Sequence, residues 1–170
     1  MGLFGQSTAA KSVSATVLMA GYQAQCTLSI LGLLQTFVND EQKSVLPLEE
    51  VTLCGLEQGN PARSMSIPQL FIKKTGCHAL AFDAEFSPDE TGLMPRVETV
   101  AVYTSHFVIQ GSYHMGTDTP VSDFVDATKA LFIAATNVSI FPLFEPQSRV
   151  VAQARLVYIH RSQVVMHHAL

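Results

Sequence analysis

The feature that most constrains this chain is that its second half restates its first. Tyr22–Leu28 (YQAQCTL) aligns with Phe107–Tyr113 (FVIQGSY) at an offset of 85 residues. Phe37–Asn39 then aligns with Phe124–Asp126, Val51–Leu53 with Val138–Ile140, and Leu70–Lys74 with Val157–Arg161, each at an offset of 87. Four blocks in one order with one small gap point to two copies of a single unit, and a repeat must be recognised before any fold is assigned. The expected divisions are a loose N-terminus over 1–13, a first unit over 14–82, an acidic linker over 83–97 and a second unit over 98–170.

Each unit reads as β-rich. Ser14–Met19 and Tyr22–Ile30 flank Ala20-Gly21, a hairpin turn, and residues 22–30 alternate apolar with polar so that one face is apolar. Gln35–Lys43 reads as a helical turn or loop and Val45–Leu56 as a strand. Glu57–Ser66 reads as a loop. Pro68–Lys74 and Cys77–Phe82 read as a second hairpin around Thr75-Gly76. Five short strands per unit favour a small, strongly bent barrel, because closure protects strand edges. The expected fold class is therefore mainly β, with two tandem five-stranded bent-sheet barrels and short helical turns. Phe71, Ile72, Phe132, Ile133, Phe141, Val157 and Tyr158 are its expected core. Gly32 and Gly111 stand where the long second strand would bend. Asp83–Glu98 mixes five acidic residues with Pro88, Gly92 and Pro95, the composition of a linker.

Composition narrows the function classes. Only 14% of residues are charged, and the net charge is −4. Divided after Glu85, each half carries five basic and seven acidic residues, so neither is a basic arm. That balance argues against a broad nucleic-acid face. Low charge also suggests that some surface is covered by a partner or a second copy. The three cysteines Cys26, Cys54 and Cys77 are widely spaced and form no zinc pattern, so they read as buried thiols of a reducing compartment. The start, Met1-Gly2-Leu3-Phe4-Gly5-Gln6, lacks the hydroxyl residue a myristoylation signal wants at Gln6. The longest apolar stretch, Ala24–Val38, is shorter than the ~20 residues of a membrane span. A cytoplasmic protein is expected.

Few positions carry chemistry. Cys77-His78 and His167-His168 are adjacent pairs whose members point to opposite strand faces, and His106 and His114 lack a carboxylate at ligand spacing, so no metal site is expected. Ser122-Asp123 and His160 are the only triad ingredients. No nucleophile motif frames them, and Ser122-Asp123 suits a turn or helix cap. No glycine loop for phosphates occurs, and no cofactor is expected. The matched polar feature of the two units is a basic turn: Lys73, Lys74 and Thr75 in the first, His160, Arg161 and Ser162 in the second. These are the candidate binding residues, Lys73, Lys74, His160 and Arg161, suited to phosphates or to simple solvation of a turn.

At these residues the chain resembles the Sm-like family, the fold of bacterial Hfq and of the Sm and Lsm ring proteins. Phe107–Gly111 followed by Asp118 resembles the first Sm motif. Val157-Tyr158-Ile159-His160 followed by Val164-Val165 resembles the Tyr-x-His segment of Hfq, and Phe71–Gly76 resembles the basic turn of the second Sm motif. Cys26 replaces the motif glycine in the first unit, and neither unit has the Arg-Gly pair that holds RNA in that family. The resemblance implies the fold and a ring built by strand-edge association more than it implies RNA binding. The expected function is a non-enzymatic assembly or scaffold protein that self-associates. The alternative is nucleic-acid or small-ligand binding through the paired basic turns.

Overall fold

A computed structural model describes residues 9–170, so the Met1–Ser7 segment lies outside the described residues. Strands β1 (Lys11–Met19), β2 (Tyr22–Ile30), β3 (Val45–Gly55), β4 (Met65–Lys73) and β5 (Cys77–Phe82) make up the first unit. Helix α1 (Leu34–Asn39) lies between β2 and β3, and a 3-10 turn, Lys74–Gly76, joins β4 to β5. The second unit repeats this order: β6 (Arg96–Tyr103), β7 (Phe107–Met115), α3 (Phe124–Ala127), β8 (Phe132–Pro142), β9 (Gln153–His160), a 3-10 turn Arg161–Gln163, and β10 (Met166–Ala169). Helix α2 (Pro88–Thr91) stands between the units.

The correspondence reaches fine detail. β3 and β8 are both 11 residues long. Ladder register shifts at Gln25/Thr27 against β3 and at Gln110/Ser112 against β8, so Cys26 and Gly111 occupy the same bulge. A Cβ on Gly111 would come within 3.1 Å of the Thr136 carbonyl oxygen, which is why this bulge takes glycine. The only non-glycine residues at positive φ among those described are Glu50 (φ 50°) and Asn137 (φ 52°), again 87 apart. Asparagine tolerates this left-handed conformation and glutamate does not. Glu50→Asn is therefore expected to stabilise the protein by roughly 0.5–1 kcal/mol. The check is a higher urea midpoint with an unchanged denaturant slope.

The mainly β expectation holds, but the two separate barrels do not form. All ten strands of the described residues join one antiparallel sheet in the order β10-β6-β7-β8-β9-β5-β1-β2-β3-β4. The units are fused by β5 pairing with β9, Leu80 opposite Tyr158 and Ala81 opposite Val157. Each unit thus satisfies one of its edges on the other unit instead of closing on itself. The expected hairpin of 68–74 with 77–82 is also corrected. β5 leaves β4 at the 3-10 turn and pairs with β1 and β9. Its sequence, CHALAF, explains this: all six residues are buried, which only a strand with a core on each face can achieve.

Two cores result. One gathers β1, β2, α1 and β3 with Leu80 and Phe82 of β5 and Leu156 and Tyr158 of β9. The other gathers β6, β7, α3 and β8 with Ala79 and Ala81 of β5 and Val157 and Ile159 of β9. Successive side chains of the two junction strands feed opposite cores, following the strand period of two. Of the expected core residues, Ile72, Phe132, Ile133, Val157 and Tyr158 are buried, whereas Phe71 and Phe141 are 62% and 48% exposed.

Residues 11–13 and 83–97 are more regular than their composition suggests. Lys11 already begins β1. The 83–97 stretch holds α2, whose Ser87 and Glu90 form a capping box, with Pro88 in its first turn and Gly92 as a left-handed cap. Phe86 and Leu93 pack on the first core, and Tyr158 donates from its hydroxyl to the Thr91 carbonyl at 3.0 Å. No helix among the described residues is long and apolar enough to cross a membrane.

Candidate functional site

The two basic turns, far apart in sequence, lie side by side because β9 ends against the β5 side of the first unit. Gln163 Nε2 donates to the Thr75 carbonyl, tying one 3-10 turn to the other. Between them lies a cleft of about 500 Å³ lined by Glu41, Lys43, Lys73, Lys74, Leu131 and His160 among others. The structure thus brings Lys73, Lys74 and His160 together.

Their side chains are partly committed to holding loops. Lys74 is 2% exposed, and its ammonium donates to the Asp40 carbonyl at 2.7 Å. Arg161 donates to the Thr128 carbonyl at the matching place in the second unit. The backbone repeats the same arrangement, with Lys74 N–H on Ser44 O at 2.9 Å and Arg161 N–H on Leu131 O at 2.8 Å. Each basic turn thereby fastens the loop that follows its unit's helix. Burial lowers the Lys74 ammonium from its ordinary value, and nearby Asp40 opposes that shift. His160 is buried against Phe132 and accepts at Nδ1 from the Ser162 hydroxyl at 2.8 Å. Burial, then Arg161 and Lys74, lower its pKa and favour the neutral ring. Lys43 and Lys73 are the exposed cations at the rim.

The other chemical candidates separate. No group of three or more metal-ligating side chains forms among the described residues. Asp123 takes the N-cap position of α3, but its carboxylate bonds the Ser122 hydroxyl and caps no backbone amide. His78, read from sequence only as half of a Cys-His pair, is buried at 2% exposure and bonds Thr104 Oγ1 through Nδ1 at 3.0 Å. His106 packs edge-on to it at 5.3 Å and reaches Glu57 of the first unit at 3.3 Å.

Strand-edge association is an expectation of the sequence, but which strands stand at the sheet ends is not. Among the described residues, β4 pairs only with β3, and β10 only with β6. Phe71 and Met65 on β4, and Val165 and Met166 at β10, are exposed apolar residues along these open edges. A signal existed in the repeat: Phe71 aligns with Tyr158, which is 1% exposed, so one aromatic position has two fates. No protein family, curated protein or solved structure matches the chain.

Proposed function

We propose that this chain is a non-enzymatic assembly protein whose two Sm-like units join further copies of the chain end to end through β4 and β10. One observation carries the reading. β9 and β5 pair inside the chain, and the open edges β4 and β10 are their counterparts in the opposite units. The same contact can be made again between chains. Moving the internal register by 87 residues sets Met166 opposite Ile72, His167 opposite Phe71 and His168 opposite Leu70. Phe71 then enters the partner's second unit as Tyr158 enters the first. An exposed apolar strand edge is otherwise a liability that proteins avoid.

The contact is head-to-tail, so it gives a closed ring or an open filament according to the rotation per unit. Rings in the Sm family arise from strand-edge pairing, and by that analogy three chains supply six units. Contact of a nucleic acid or small ligand with the paired turns draws less support, because Lys74 and Arg161 are engaged with backbone carbonyls. The test is light scattering after gel filtration. A mass that is a multiple of the 18.4 kDa chain is expected. Phe71→Lys should return it to one chain. A monomer at all concentrations, or an assembly indifferent to Phe71→Lys, would remove the reading.

A further inference from the structure

A second cavity, remote in role from the sheet edges, lies where the linker meets the second unit. It measures about 450 Å³, within the range of small-molecule sites (~300–1,000 Å³), and is walled by α1, the end of α2, β7, α3 and the start of β8. Leu93, Met94, Met115, Phe124, Phe132 and Ile133 give it an apolar interior.

Several of its polar side chains are already engaged by the protein. Tyr158 bonds Thr91 O, and His114 is held at both ring nitrogens, by Met94 O at 3.1 Å and Thr136 Oγ1 at 2.9 Å. Asn39 accepts from Phe132 N–H and donates to Gln35 O. Thr128 donates to Phe124 O. An occupant therefore finds mainly apolar walls, the Thr119 hydroxyl, and no carboxylate, ammonium or guanidinium inside. Lys129 is the exception at the rim: it is exposed, and it belongs to none of the ion pairs among the described residues. Met94, 51% exposed, overhangs the opening as a flexible apolar side chain.

We infer that this cavity binds a small single-chain amphiphile with an anionic head, its tail among Met94, Met115, Phe124 and Ile133 and its carboxylate on Lys129. None of the residues that line it stands on β4 or β10.

Methionine-methyl NMR on the full chain tests it, because Met94 and Met115 line the cavity while Met65 and Met166 mark β4 and β10. Sub-micellar decanoate should shift Met94 and Met115 saturably and leave Met65 and Met166 in place. Lys129→Glu, a surface change that leaves the core intact, should weaken decanoate on the order of tenfold and spare decanol. Absence of saturable shifts, shifts led by Met65 and Met166, or decanoate affinity unchanged by Lys129→Glu would each overturn the assignment.

Discussion

Tyr158→Ala is expected to destabilise the chain by about 3–5 kcal/mol, the usual cost of removing a large buried aromatic side chain. The tyrosine is 1% exposed, packs edge-on to Phe82 at 6.3 Å and anchors α2 through its hydroxyl on Thr91 O. Because it stands on the strand that fuses the units, its loss opens a cavity in the first core from the second unit's side. Against a typical total stability of ~5–15 kcal/mol, the variant would be marginal. Phe71→Ala, at the same position of the repeat, should move the stability of an isolated chain by no more than about 0.5 kcal/mol. Urea unfolding of the two variants side by side checks the contrast. Similar midpoints would mean that the two units do not interlock at β5 and β9.

Acidification provides the second large effect. His78 is held down to about 4 from its ordinary 6.5, chiefly by burial and then by His106 beside it. Between those two pH values the unfolded chain binds a proton that the folded chain refuses. Stability is therefore fully present above about pH 6.5 and declines as pH falls toward 4, by on the order of 3 kcal/mol for this one residue. His78→Phe should flatten the fall in urea midpoint between pH 7 and pH 5. The slope that remains has its own source in His160, which burial also keeps neutral, so it shifts stability in the same direction. An undiminished slope in His78→Phe would show that His78 does not govern the acid response.

The repeat and its local elements were legible in the sequence because they are written in short-range patterns. The alternation in residues 22–30 marks β2 residue for residue, and the 85 and 87 offsets reappear in strand lengths, bulges and left-handed positions. Helix α2 was legible too: Ser87, Pro88, Glu90 and Gly92 are a cap, a first-turn proline, a capping-box acid and a terminal glycine. Its acidic composition spoke louder than its spacing, and the segment read as linker. The two basic turns stand in the sequence as separate segments, and their proximity does not, since Lys74 and His160 meet only through the β5–β9 ladder.

By itself, then, the sequence determined a mainly β chain, the turn between β1 and β2 and the buried face of β2, because apolar periodicity and turn chemistry act within a few residues. Only the tertiary structure decided that the units share one sheet, that β5 leaves β4 for β9, and that Phe71 lies open where Tyr158 is buried. Strand pairing joins residues distant in the chain through backbone groups that every residue carries. Such pairing leaves little trace in any single segment.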